Sequence, residues 1–360
     1  MTTTLFTPLR LGRFEAQNRI LMAPMTRARA TGDNVPTEIM IEYYRQRAAA
    51  GLIISEGTFV SKQGVGWNNA PGIYTDEHVA AWKPVTEAVH KAGGKIFLQL
   101  WHMGRVSHPD FQGGALPVGP SAIAAKGKSN TPEGSKDYVE PKALTTDEIA
   151  GVVDDFRQSA RRAIEAGFDG VEIHGANGYL LDQFIRNGSN KRDDEYGGSV
   201  ENRWRLPLEV VRAVADEIGA DRTAIRLSPV NAYNDMADSD AVATFGYGAN
   251  ALGQLGLAFV HVLEARAGMM FNKDEPVVHP HIRKALGKTP MLLNGGYDKE
   301  TAEAAIAEGV CDAVAFGIPF LANPDLVERY RIGTTEFNAP DFATLYSPGT
   351  AGYTDYKALD

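Results

Sequence analysis

Gly170-Val171-Glu172-Ile173-His174-Gly175-Ala176-Asn177-Gly178-Tyr179-Leu180-Leu181 carries a short apolar strand into a loop bearing an imidazole, a carboxamide and a phenol. It is preceded by Glu165-Ala166-Gly167, the close of an amphipathic stretch over 146–166, so helix, glycine, strand and polar loop follow one another. The device recurs: Ala49-Ala50-Gly51 leads into Leu52, and His90-Lys91-Ala92-Gly93-Gly94 into Lys95. A glycine in a left-handed turn can end each helix and feed the next strand.

Working outward, short apolar runs predict strands over 19–23, 52–58, 95–101, 170–174, 223–227, 259–263, 290–294 and 313–316. Amphipathic stretches over 38–50, 76–92, 146–166, 203–218, 241–255, 299–308 and 324–330 predict helices between them, with Thr37 and Asp298 as helix-start residues. This alternation closes most naturally as an α/β fold of the (β/α)8 TIM-barrel type, a single domain over 1–360. A β-hairpin over 9–18 is expected to plug its bottom. The long connections 103–145 and 187–203, rich in Gly, Pro, Ser and charge, read as lid and rim insertions.

The 360 residues are 44% apolar and 22% charged, an ordinary enzyme composition with chain enough for a large core. Asp and Glu number 45 against 36 Lys and Arg, and no basic run occurs. That disfavours a nucleic-acid partner, because phosphate backbones are bound through clustered cations. Cys311 is the single cysteine, so neither an internal disulfide nor a cysteine-ligated metal centre is expected, and no metal is assigned. Cys311 itself reads as a small buried apolar residue. The first residues lack the basic segment and apolar stretch of a signal peptide, and no run is long enough to span a bilayer. The expectation is a cytoplasmic protein with no membrane partner, a monomer or a dimer.

In a barrel of this kind the carboxyl ends of the strands open into one mouth. Pro24-Met25-Thr26 ends the first strand, Glu56-Gly57-Thr58 the second, Gln99-Leu100-Trp101-His102 the third, His174 to Tyr179 the fourth and Arg226 the fifth. The result is a polar bowl rich in donors. After the last two strands come Asn294-Gly295-Gly296 and Phe316-Gly317, glycine turns entering helices, where backbone amides favour a phosphate and hence a phosphorylated cofactor. A strand-end histidine alone is readily satisfied by neighbouring backbone. With Asn177, Tyr179 and two glycines beside it, His174 reads instead as one of two donors converging on an electron-rich oxygen, with Tyr179 as a proton source beyond.

Several segments then carry a resemblance: Leu5-Phe6-Thr7-Pro8, Asn18-Arg19-Ile20, Ala23-Pro24-Met25-Thr26-Arg27, Gln99-Leu100-Trp101-His102-Met103-Gly104-Arg105, the run from Gly170 to Gln183, Arg192-Asp193-Asp194-Glu195-Tyr196-Gly197-Gly198-Ser199 and Phe320-Leu321-Ala322-Asn323-Pro324-Asp325. Nearly end to end the chain resembles the Old Yellow Enzyme family, within the bacterial ene-reductase branch of N-ethylmaleimide reductase-like and pentaerythritol tetranitrate reductase-like members. The resemblance implies tightly held FMN, reduction by NADPH or NADH, and hydride transfer from flavin N5 to the β-carbon of an activated alkene such as an enone, enal, maleimide or nitroalkene.

It also implies roles. Thr26 would meet the flavin carbonyl beside the reactive nitrogen, Gln99 the pyrimidine edge, and Arg226 the N1 region where reduction deposits negative charge. Pro24, Met25 and Gly57 would lie close against the ring. Asn294, Gly295, Gly296, Phe316 and Gly317 would hold the phosphate. His174 and Asn177 would polarise the substrate oxygen, while Tyr179 protonates the α-carbon opposite the hydride. Trp67, Trp101 and Tyr353 are assigned to the substrate pocket, with Tyr233, Phe245, Tyr247 and Phe271 as further aromatic candidates for its rim.

The sequence departs from the family pattern at Ile318, where many relatives read Phe-Gly-Arg-Pro-Phe and this chain has Phe316-Gly317-Ile318-Pro319-Phe320. Phosphate binding then rests on backbone amides, and FMN is expected to be held less tightly than by an arginine. Two alternatives stay open: another flavin barrel enzyme of the dihydroorotate dehydrogenase type, and a flavin redox sensor or oxygen-consuming NAD(P)H diaphorase with incidental alkene activity.

Overall fold

The computed structural model describes residues 4–264 and 276–359. Its centre is a closed barrel of eight parallel strands: β1 (Ile20–Met22), β2 (Ile53–Phe59), β3 (Ile96–Trp101), β4 (Gly170–Gly175), β5 (Thr223–Leu227), β6 (Phe259–Leu263), β7 (Met291–Asn294) and β8 (Ala313–Phe316). Pairing of Val314 with Ile20 returns β8 to β1 and closes the ring. Apart from Asn294, every residue of these strands is buried. That suits their apolar runs, since parallel strands covered on both faces have no solvent side to alternate toward.

Among the described residues the main outer helices are α1 (Ile39–Gln46), α2 (Asp76–Lys91), α3 (Thr146–Glu165), α4 (Arg205–Ile218), α5 (Ala241–Gly253), α6 (His279–Leu286), α7 (Lys299–Ala307) and α8 (Leu326–Ile332). The longest, α3, shows why they form. Ile149, Val152, Phe156, Ala160 and Ala163 recur every three or four positions and are buried as one stripe. At its start the Thr145 side chain accepts from the Glu148 N–H while the Glu148 carboxylate accepts from the Thr145 N–H, a capping box contributing about 1 kcal/mol.

The differences from expectation have local causes. The first helix, expected over 38–50, ends at Gln46 because Arg47 turns inward, donating to the carbonyls of Tyr43, Phe320 and Leu321 and lying 3.9 Å over the Tyr43 ring. Thr37 does not cap that helix; its hydroxyl donates to the Arg29 carbonyl instead. Asp298 does cap α7, accepting from the Thr301 N–H at 2.8 Å. The unexpected helix, α6, has Pro280 near its start and only Ile282 and Leu286 buried, too few apolar positions to register as a period. Gly93 and Gly167 take the expected left-handed turn, with φ of 84° and 91°. Gly51 does not; a Cβ there would stand 2.1 Å from the Asn18 carbonyl oxygen, so close approach is what selects glycine.

At the amino end of the barrel Leu9–Leu11 pairs antiparallel with Phe14–Ala16. Leu11 and Ala16 pack with Phe97, Phe259 and Leu292, closing that end with an apolar plug. The insertion over 103–145 contains the antiparallel pair Lys128–Thr131 and Gly134–Asp137, and Asn68 Nδ2 fastens it by donating to the Asn130 carbonyl at 2.8 Å. Among the described residues no helix is long and apolar enough to cross a membrane.

Candidate active site

Strand register decides which side chains meet in the barrel. His174 on β4 lies opposite Arg226 on β5, and Arg226 opposite His261 on β6. Residues two apart on a strand share a face, so Glu172 lies one layer below His174. Glu172 is fully buried, accepting from Gln99 Nε2 at 2.8 Å and from His261 Nδ1 at 2.7 Å. Burial pushes the His261 pKa below its ordinary value, against the pull of Glu172. With its nitrogen committed to Glu172, Gln99 keeps an oxygen as acceptor for whatever lies above.

His174 and Asn177 are oriented as donors. The Ala176 backbone N–H donates to His174 Nδ1 at 3.3 Å, and since a backbone N–H can only donate, the proton of the neutral ring is on Nε2. Burial, reinforced by the charges of Arg226 and His261, holds the His174 pKa well below its usual value, so the ring is neutral at working pH. Asn177 sits at φ 58°, a conformation asparagine tolerates, where its N–H donates to Ser228 Oγ at 2.7 Å. Its Oδ1 accepts from Asn231 Nδ2 at 2.8 Å, leaving its own Nδ2 unused among the described residues.

Tyr179 stands edge-on to both neighbours, its ring centroid 4.8 Å from His174 and 5.0 Å from Trp101. Burial, reinforced by Tyr233, Tyr138 and Tyr346 and opposed by Arg226, lifts its pKa well above 10, so the phenol stays protonated. Trp101 is stacked on Phe59 at 5.0 Å, and a Cβ on Gly57 would fall 2.6 Å from the Trp101 ring; any larger residue there would displace the aromatic wall.

Pro24, Thr26, Gly57, Trp67, Gln99, Trp101, His174, Asn177, Tyr179 and Arg226 line one cavity of about 210 Å³. Met25, Asn294, Gly295, Gly296, Phe316 and Gly317 line a second, of about 340 Å³, which shares Pro24, Asn177 and Arg226 with the first. The structure thus joins the polar bowl to the two glycine turns. Gly295 has φ 137°, and a Cβ on it would meet the Glu264 carbonyl oxygen at 2.5 Å. Ile318 is 55% exposed at the edge of the second cavity, where it offers no cation.

Arg226 tests whether a flavin suits this pair of cavities. It is only 7% exposed, and its one hydrogen bond among the described residues runs from Nη2 to Asn294 Oδ1 at 2.7 Å, leaving Nε buried without a partner. Burial lowers its pKa, yet a guanidinium remains charged. A buried cation at a cavity with unused donors suits an electron-rich ligand edge, as the pyrimidine end of FMN provides. The residues present therefore fit FMN.

One assignment is corrected. Tyr353 does not line the pocket: it is fully buried, stacked on Tyr43 at 4.1 Å and 5°, with Arg29 4.5 Å above its ring. The place at the mouth belongs to Tyr346, 49% exposed and 5.3 Å from Trp67. Arg27 and Arg29 both donate to the Leu345 carbonyl and pull the chain end across the mouth at that point. Tyr233 also lines the pocket, whereas Phe245, on α5, is buried against Trp204, and Tyr247 on the same helix is half-buried against the core. Phe271 lies outside the described residues.

Sequence reasoning also missed Glu172, His261, Ser228 and Asn231. Glu172 alone had a usable signal, its spacing of two from His174.

Beside the site, His102 gives a stability prediction. It is 1% exposed, its Nδ1 accepting from the Gly104 N–H at 3.1 Å and its Nε2 unpartnered among the described residues, and burial pushes its pKa down to about 3. The unfolded ring takes up a proton near its ordinary value of 6.5, while the folded ring does not until about 3. The unfolded state therefore binds more protons across that window, and stability falls as pH falls through it. At about pH 5 the loss from His102 is about 2 kcal/mol relative to neutral pH. Urea midpoints should drop accordingly, and His102→Asn should flatten the dependence by that amount; an unchanged slope in the variant would show the ring to be protonated in the fold.

Comparison with known proteins gives the family. The sequence profile of the NADH:flavin oxidoreductase / NADH oxidase family matches residues 4–336. The Old Yellow Enzyme homologue of Zymomonas mobilis superposes with a TM-score of 0.97 at 50% identity, covering 99% of this chain and 100% of that one. Morphinone reductase, also solved in complex with tetrahydroNAD, superposes with a TM-score of 0.94 at 46% identity, covering 100% of this chain and 97% of that one. 12-oxophytodienoate reductase 1 of Oryza sativa subsp. japonica is 45% identical over 99% of this chain and 93% of its own length. Barrel and relatives together define a flavin oxidoreductase. The chain belongs to the Old Yellow Enzyme family, in its bacterial-type branch. Its cofactor is FMN, with NAD(P)H as reductant.

Proposed function

We propose that this protein reduces the C=C bond of activated alkenes, the enones, enals, maleimides and nitroalkenes, with His174 and Asn177 holding the activating oxygen and Tyr179 supplying the proton. The observation that carries the reading is the paired donor polarity: among the described residues Nε2–H of His174 and Nδ2–H of Asn177 are both left unused at one cavity, next to a protonated phenol. Three such donors side by side suit a carbonyl or nitro oxygen whose negative charge grows during reaction. Relatives named as reductases of 12-oxophytodienoate and morphinone, the latter solved with tetrahydroNAD, support a reductase reading and a nicotinamide reductant.

Thr26, Pro24, Gly57 and the Gln99 oxygen would hold the isoalloxazine, Arg226 would offset charge at its pyrimidine end, and the turns at Asn294-Gly295-Gly296 and Phe316-Gly317 would hold the phosphate. Bound FMN supplies hydride-transfer chemistry, recharged by NAD(P)H. His174 and Asn177 bind and polarise the substrate oxygen, lowering electron density at the β-carbon. Tyr179 holds its proton at Oη until the α-carbon becomes basic, delivering it from the face opposite the hydride, so trans addition is expected.

The test is Tyr179→Phe, read in two half-reactions. Anaerobic mixing of the reduced variant with cyclohexenone should be slowed by about 10² to 10⁴-fold, while oxidation of NAD(P)H by the same protein keeps its rate. An unchanged alkene rate removes Tyr179 as the acid. Wild-type protein that reacts with oxygen but not with cyclohexenone would instead favour a diaphorase or sensor.

A further inference from the structure

Asn177 can present its cavity with either a donor or an acceptor, because the two ends of a carboxamide differ in polarity and hardly in shape. We infer that Asn231, a residue lining neither cavity, is the positioning residue that fixes Asn177 as a donor. This rests on the reading of Asn177 as a substrate-binding group.

A chain of hydrogen bonds with only one possible direction supports it. The Tyr233 backbone N–H cannot accept, and it donates to Asn231 Oδ1 at 2.9 Å. With that oxygen engaged, the nitrogen of the Asn231 amide faces Asn177, and Nδ2 donates to Asn177 Oδ1 at 2.8 Å. Asn177 Oδ1 is thereby held on the Asn231 side, and Nδ2, which has no partner among the described residues, is left for the cavity. Polarity fixed at a main-chain amide is passed through two side chains to the substrate.

Asn231 cannot readily turn away. It is 6% exposed, and its carbonyl accepts from Arg186 Nη1 at 2.9 Å. Arg186 is in turn buried and paired with Asp182 at 2.9 Å, and the Asp182 carboxylate accepts from the Gly178 N–H at 2.8 Å, next to Asn177 in the chain. The Asn177 main chain is held separately, through Ser228 Oγ and Asn234 Nδ2. Its backbone and its amide direction thus have different supports, and only the second depends on Asn231.

Asn231→Asp tests the inference. A carboxylate of the same shape still accepts from the Tyr233 N–H, so the loop is retained, but it cannot donate to Asn177 Oδ1. Asn177 then turns its nitrogen to the introduced carboxylate and its oxygen to the substrate. The dissociation constant of a phenol, read from the long-wavelength absorbance of the holoenzyme, and the KM for cyclohexenone should both rise on the order of tenfold. Asn231→Leu, which unlocks the amide without reversing it, should give roughly a threefold rise. Repeated on Asn177→Ala, both substitutions should change binding less than about twofold, because the group they act through is gone.

Equal effects with and without Asn177 would overturn the inference while leaving the role of Asn177 standing. If Asn177→Ala by itself left phenol binding and KM unchanged, the reading of Asn177 would fall first and this inference with it.

Discussion

Replacing His174 and Asn177 together by alanine is expected to lower kcat/KM for cyclohexenone by on the order of 10⁴-fold, with FMN still bound. One preorganised donor at a developing oxyanion contributes about 10² to 10³ in rate, and two acting as a unit give less than the product of their separate effects. Preorganisation is visible at both positions. The imidazole is pinned through Nδ1 by the Ala176 amide, and the carboxamide through Oδ1 by Asn231, so neither donor has to be reoriented as charge develops. Because the His174 pKa is held well below its ordinary value by burial, the double variant should lose the same factor across neutral and mildly acidic pH. Steady-state rates with cyclohexenone, set against NAD(P)H oxidation in air and the flavin spectrum, check this. Retained enone turnover in a yellow double variant would remove the oxygen-holding role.

Arg226→Met should give a protein that does not retain FMN through gel filtration, with a dissociation constant for added FMN raised about 100-fold or more. Each charge-assisted hydrogen bond contributes about 1.5–3 kcal/mol, and the side chain has several unused donors at the cavity. Methionine matches much of its length without the charge. The apoprotein should meanwhile be no less stable in urea than the wild-type apoprotein, because a buried guanidinium with an unpartnered Nε is itself a cost to the fold. This pairing of outcomes separates a ligand-facing cation from a structural one. A variant that stays yellow, or an apoprotein that unfolds much earlier, would place Arg226 in the scaffold.

Much of this was legible because the signals were local. The strands over 223–227, 259–263 and 313–316 stand as expected, since runs of buried β-formers bounded by turns leave few other choices. His174, Asn177 and Tyr179 share one loop, and their relation follows from chain spacing. Tyr353 was misplaced for the opposite reason. Both it and Tyr346 are tyrosines near the chain end, and which one reaches the mouth depends on Arg27 and Arg29 gripping carbonyls more than 300 positions away. No periodicity encodes that grip.

By itself the sequence determined the alternation that closes the barrel, the strand ends that face its mouth, and the types of group found there, because strand alternation and helical period are properties of neighbours along the chain. Only the tertiary structure decided which nitrogen of His174 carries the proton, which end of Asn177 meets the ligand, and that Glu172 and His261 form a pair beneath them. Those are matters of hydrogen-bond direction and of burial, set by partners brought together from different strands and loops, and a chain read one residue after another does not contain them.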